Sequence, residues 1–418
     1  MSAASTHALP GRIAINVGEI LALLALASLT LEPLLGTAAA AAFLATGTLL
    51  MLSQPLHSLS SLLRWWPLLL LPVYCLLSIF WSEFPASTLR YGLQMTFTLA
   101  VAIVIANRVP AVALLRGLFL IYSLGIVLSL GVGRNSDGAA WLGIFDSKNA
   151  FAAYVAVYAL ICVGLLFDRD APRWMRLAAL GGALLSLPLL VRAQSAGALA
   201  MIGPAVLTII AVVWVRRLSD AQKAFAVALV LLAALTLGLV LWAYGDTLLA
   251  LFLESSGKDA TLTGRTDLWR AGFSLIADHP LFGVGYRAFW IKGNGPAEQL
   301  WAMFGEPSGA GFNFHNMYIS NAVELGMVGL TIEIAIIYVA AALLLVLAVV
   351  RPNHIVAFLL GLQVLLILRS FVEVEVFQEF SVRSMLTYCV FVYAARDFAA
   401  WRAETRLVSL PRFRPREA

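Results

Sequence analysis

Charge is what this sequence has least of. Only 12% of its 418 residues are Asp, Glu, Lys or Arg, about half of the roughly 25% usual in a soluble domain. Hydrophobic residues make up 61%, and the mean hydropathy is +0.90. No water-soluble core absorbs that much apolar sequence, so a soluble enzyme and a disordered scaffold are both excluded. Cysteine is nearly missing. Cys75, Cys162 and Cys389 each lie in an apolar run and read as small buried hydrophobes, with no disulfide framework and no CxxC metal pair. There is no internal repeat, and no low-complexity tract beyond the alanines of 38–42. The net charge of +5 therefore speaks of membrane topology rather than of nucleic acid.

What is present is a series of long apolar runs. A span needs about 20 mostly apolar residues. Runs lie near 15–31, 34–52, 66–81, 91–107, 111–131, 149–167, 175–191, 197–215, 224–244, 326–350, 355–371 and 385–400. They predict an all-α polytopic membrane protein of about 12 transmembrane helices, forming a single membrane domain over 1–418. The first run holds Glu19, and no small-x-small cleavage site precedes a soluble domain after it, so it is not read as a cleavable signal peptide. With the N-terminus in the cytoplasm, cytoplasmic segments hold 17 of the 28 basic residues. The links DRDAPRWMR and RRLSDAQK and the tail after 400 supply most of them, as the positive-inside rule requires.

One connection breaks the rhythm. Residues 245–314 form a 70-residue loop on the non-cytoplasmic side, rich in glycine and carrying Phe282, Phe289, Trp290, Trp301 and Phe304. Those aromatics predict a folded loop lying against the membrane. Within it, DLWRAGFSLIADH reads as a helix stopped at His279 by Pro280. GVGYRAF contains a Gly-x-Gly, but no strand precedes it, so it is not a nucleotide fingerprint.

Polar residues gather at the outer ends of the runs. They are Lys148 and Asn149 in IFDSKNAFAAY, Arg192 in LLVRAQSAGALA, Arg265 in TLTGRTDLWR, Arg287 in GVGYRAFW, and His315 and Asn316 in FNFHNMYISN. Arg369 closes the eleventh run, followed by Glu373, Glu375 and Glu379, which read as a solvated face. An enzyme on the outer face has no cytoplasmic ATP, so its substrate must arrive activated. Arginine grips a phosphate bidentately and stays charged, which suits a diphosphate leaving group. A histidine can take the proton of an attacking hydroxyl. The outer face offers no DxD pair and no His/Cys cluster for a metal, so arginine is the expected device.

The blocks GRTDLW (264–269), HPLFGVGYRAFW (279–290) and FHNMYISNAVELGMVGL (314–330) resemble the O-antigen ligase and polysaccharide polymerase superfamily, and among it the exopolysaccharide polymerases of the ExoQ type. IFDSKNAFAAY (144–154) is similar to a further motif of that family. The resemblance implies a metal-independent, cofactor-free, inverting glycosyltransferase in the bacterial inner membrane, its active site facing the periplasm. The donor would be an oligosaccharide on undecaprenyl diphosphate and the acceptor a glycan, or a lipid A core in the ligases. A flippase and a chain-length regulator would be partners. By resemblance His315 is the base and Arg265 a diphosphate ligand; Arg192, Arg287, Lys148, Asn149, Asn316 and Arg369, gathered at the same ends, are the further candidates to hold diphosphate or glycan. The family's Ser-Arg or Ser-Lys pair is here Ser195-Ala196. Arg192, one helical turn earlier, would supply the charge from the same face. A transporter or flippase is the reading from another class; Glu19 and Glu333 are its mid-span acids, but inverted repeats are missing.

Overall fold

The structure is a computed structural model that describes residues 17–136, 140–256, 264–306, 308–309 and 311–409. The start of the first run, Lys258 and the end of the basic tail lie outside the described residues. The described chain is helical, with one isolated bridge between Asn135 and Trp141. The helices are α1 (Val17–Thr30), α2 (Glu32–Leu35), α3 (Thr37–Ser53), α4 (Pro55–Arg64), α5 (Leu70–Leu77), α6 (Pro85–Arg108), α7 (Ala111–Val132) and α8 (Lys148–Leu166). There follow α9 (Arg173–Arg192), α10 (Ala196–Val215), α11 (Asp220–Ser256), α12 (Arg265–Asp278), α13 (Gly295–Met303), α14 (Met317–Val350), α15 (His354–Ser370) and α16 (Val382–Ser409). Each of the twelve apolar runs falls on helical chain, as it must where lipid offers no partner to a backbone amide.

Among the described residues six helices, α6 to α10 and α14, are long and apolar enough to cross a bilayer, and α3 with α4, bent by 97°, would make a seventh. The molecule is a polytopic membrane protein. Its surface agrees. Leu177, Leu184 and Leu187 on α9 and Phe225, Val230 and Leu235 on α11 are exposed, a belt of apolar side chains that water would not tolerate but lipid does. The central helix is α8, buried nearly all round. It packs against α7, α9, α10 and α15, while α16 lies against α6 and α14.

Two features of the long connection differ from expectation or go beyond it. Helix α11 runs on to Ser256, because LLALFL at 248–253 continues its apolar pattern; the long connection therefore begins at 257 and not at 245. Beyond it, α12 and α13 build a small core of their own around Leu268, Phe289, Leu300, Trp301 and Phe314, closed against Ile319 and Val323 of α14. Trp269 Nε1 donates to the carbonyl of Phe314 at 2.8 Å. His279 caps the end of α12, as its sequence predicts.

Helix α14 breaks at Gly326 (φ 64°, ψ −169°). The break strips four backbone groups of helical partners, and the loop at 280–285 replaces them. Met327 and Val328 N–H donate to the carbonyls of Pro280 (2.9 Å) and Leu281 (3.2 Å), while Val284 and Gly285 N–H donate to those of Val323 (3.0 Å) and Glu324 (2.8 Å). The two backbones touch so closely that a Cβ on Gly326 would lie 2.3 Å from Leu281, and one on Gly283 2.4 Å from Glu324. Glycine is required on both sides, which accounts for the Gly-x-Gly and for the glycine of VELGMVGL.

Candidate active site

Five separate elements bring polar side chains to one end of the bundle. Ser147 caps α8 through Ala150 N–H (3.1 Å), which sets Lys148 and Asn149 in its first turn. Ser195 stands at the start of α10, and Arg265 opens α12. Asn316 caps α14, its Oδ1 accepting from Ile319 N–H at 3.1 Å, while its Nδ2 holds the carbonyl of Phe371 at 3.1 Å. His315 precedes that cap with φ 48°, a left-handed conformation costing on the order of 1 kcal/mol. The side chain of Asn313 sustains it by accepting from His315 N–H at 2.7 Å.

Glu373, just after α15, is where these groups meet. Its Oε2 lies 3.1 Å from His315 Nδ1. Its Oε1 accepts from Arg265 Nη2 at 3.3 Å and from Asn149 Nδ2 at 3.1 Å. Arg265 Nη1 also donates to the carbonyl of Val372 (3.0 Å), and Ser195 Oγ donates to Asn149 Oδ1 (3.3 Å). The side chains of His315, Arg265 and Glu373 keep 28%, 23% and 17% of their surface exposed, so the cluster is open to a substrate. A carboxylate only accepts, so His315 carries its hydrogen on Nδ1. That leaves the Nε2 lone pair free to act as a base.

The other two glutamates of this segment hold arginines of their own, which corrects their reading as a solvated face. Glu375 is buried and chelated by Arg369, itself only 3% exposed, with Arg383 Nε at 3.7 Å. Burial works against its ionisation, but the charges of Arg369 and Arg383 outweigh it and hold its pKa down at about 2. Arg369 is thus committed to a buried ion pair and presents no free fork to a substrate. Glu379 accepts from Arg287 Nε and Nη2 at 3.2 and 2.7 Å and from Tyr286 Oη at 3.1 Å. Burial works against the charge of Arg287, but Glu379 in first place raises its pKa nonetheless. The guanidinium of Arg287 also covers the ring of Tyr91 at 5.3 Å, and its backbone N–H donates to Glu324 at 2.9 Å. What could have revealed these pairings is the number of arginines near the ends of the apolar runs and in the long connection: each one half-buried needs an acid, and 373–379 is where the acids are.

Arg192 does not do what helical spacing suggests. Helix α9 ends at Arg192 and α10 starts at Ala196. Ala193 to Ser195 break the chain, with Gln194 at φ 49°, so Arg192 and Ala196 share no helical face. Its side chain is exposed and its carbonyl accepts from Trp141 N–H at 2.9 Å. Lys148 is likewise exposed. Neither side chain has a protein partner among the described residues, and each is next to, or three positions from, a member of the Glu373 cluster.

Residues 181–334 match the O-antigen ligase family, Wzy_C. Over 335 residues the chain is 33% identical to the exopolysaccharide production protein ExoQ of Rhizobium meliloti strain 1021, covering 76% of this chain and 74% of that protein. The matched segment contains Ser195, Arg265 and His315; Glu373 and Asn149 lie outside it.

Proposed function

The chain belongs to the O-antigen ligase family of membrane polymerases and ligases, and from that premise we propose that it polymerises lipid-linked oligosaccharide repeat units on the periplasmic face of the bacterial inner membrane. The donor is a glycan on undecaprenyl diphosphate. Twelve spans are proposed: the six long apolar helices with α1, α3, α5 and its flanking turns, α11, α15 and α16. An even number keeps the basic tail in the cytoplasm.

The observation that carries this reading is the convergence of His315, Arg265 and Asn149 on Glu373. His315 Nε2 takes the proton of a sugar hydroxyl as its oxygen attacks the anomeric carbon. The bond from that carbon to the diphosphate oxygen breaks on the opposite face, so the centre inverts. The electron pair leaves on the diphosphate, where Arg265 meets the growing charge, with Lys148 and Arg192 as further contacts. Glu373 is a positioning residue. It fixes the tautomer and direction of His315 and keeps Arg265 within reach of the same point.

A ladder of longer lipid-linked products, formed when the purified protein meets a lipid-linked repeat unit alone, is the expected result. Ligation to a lipid A core is the second reading, favoured by the description of the matched family. Product formed only when that core is added would replace polymerisation with ligation.

A further inference from the structure

Beside His315 lies a cavity of about 360 Å³ lined by Tyr91, Arg287, Trp290, Phe312, Asn313 and Gln378. It adjoins the cluster through Asn313, which holds the His315 backbone, and through Phe312, whose ring centre is 6.4 Å from that of His315. Its volume falls at the small end of ligand pockets, about 300–1,000 Å³.

The lining has the chemistry of a sugar site. Trp290 and Phe312 meet edge to face at 5.2 Å, and Tyr91 lies under Arg287. Aromatic faces suit the C–H face of a pyranose. Around them are donors without a protein acceptor. Trp290 Nε1 is buried and makes no hydrogen bond among the described residues. An indole N–H can only donate, and leaving one unmet in the interior costs about 1–3 kcal/mol. The side-chain amide of Gln378 and Nη1 of Arg287 are also without a partner among the described residues, Arg287 using Nε and Nη2 on Glu379. That pairing neutralises the one cation among the described lining residues, and the lining's carboxylate, Glu324, accepts from the Arg287 backbone N–H, so the pocket offers hydrogen bonds and no unpaired cation to an acidic sugar.

We propose that this pocket binds the terminal, uncharged sugar of the acceptor glycan. Its ring stacks on the aromatic lining, and its hydroxyls satisfy Trp290 Nε1, Gln378 and Arg287 Nη1. The attacking hydroxyl then faces His315. The diphosphate would sit elsewhere, since Lys148 and Arg192 flank Asn149 and Ser195, away from this lining. The inference rests on the reading of His315 as the base, and it names the group that base serves.

The test uses the full-length protein in nanodiscs, with Trp290→Phe to remove the N–H but keep the ring, and Tyr91→Leu to remove an aromatic face. Thermal unfolding confirms that both variants fold. Free tetrasaccharides of glucose, galactose and mannose are the probes, followed by saturation-transfer NMR. At least one should bind the wild type saturably, and both variants should weaken it about tenfold, the scale of one hydrogen bond or stack. In transfer assays the same variants should raise the KM for added acceptor while leaving the KM for donor unchanged. No saturable binding of any of the three, or binding and acceptor KM untouched by both substitutions, overturns the pocket. Binding lost in the variants of a protein that transfers no glycan would keep the pocket and remove the polymerase reading. Transfer with an unaltered acceptor KM would do the reverse.

Discussion

His315 and Glu373 are joined by a 3.1 Å contact between Nδ1 and Oε2 across 58 positions of chain, and Arg265 reaches the other oxygen of the same carboxylate. One side chain therefore orients a base and a cation together. Removing it disturbs both, whereas removing either partner disturbs one.

Substituting Glu373→Gln is expected to lower the transfer rate by about 10²-fold, the lower end of what a well-placed base contributes. The amide keeps the volume but loses the charge that Arg265 faces and can turn a donor towards His315. Rates of ladder formation at saturating donor measure it. A rate within about threefold of wild type would remove Glu373 from the site.

His315→Ala and Arg265→Ala should each abolish product in a protein that still folds and inserts. Both side chains are partly exposed, so little packing is lost. Activity within about tenfold of wild type in either variant refutes its role, because a general base typically supplies 10²–10⁴-fold. Intact glycan assembly in His315→Ala cells would favour a transporter.

Lys148→Ala and Arg192→Ala should act on donor binding. Each loses an exposed cation without a protein partner, so folding should be unchanged and the donor KM should rise by roughly threefold to tenfold, the range of a phosphate contact open to solvent. Added salt should shrink the effect. A fall in kcat at constant KM would contradict a binding role.

Glu375 makes stability depend on acid. Its folded pKa of about 2 lies below the unfolded carboxylate value of about 4.3. The stability it contributes is fully present above that value and is lost as the pH falls through 4 towards 2. Glu375→Gln should melt earlier at neutral pH, since a buried Arg369 left unpaired costs about 3–5 kcal/mol. The gap to wild type should close near pH 2. A constant gap across that window would show the ion pair to be irrelevant.

Much of this molecule is legible in the sequence, because length and apolarity alone decide where a helix may cross lipid. The described parts of all twelve apolar runs fall on helical chain, and four of the five aromatics of the long connection form a core, Phe282 lying outside it against Trp81. What spacing could not give is partnership at long range. Glu373, Glu375 and Glu379 look like a hydrated turn until Arg265, Arg369 and Arg287 are seen to fold onto them one by one. Arg192 fails for the opposite reason: Ala193 to Ser195, with Gln194 at positive φ, interrupt the helix that a four-residue spacing assumes. The extension of α11 to Ser256 was hidden by Gly245 and Asp246, which read as the end of a span.

The contact between Gly326 and Leu281 also fixes an order of events. Ribosomes deliver residues 280–285 before α14 exists, yet four of the hydrogen bonds of that segment end on α14. The Val284 and Gly285 N–H groups must therefore wait until the following helix has formed and broken at its glycine. Helix α14 therefore completes the loop that carries Arg287, and His315 waits one element longer, for the Glu373 that follows α15.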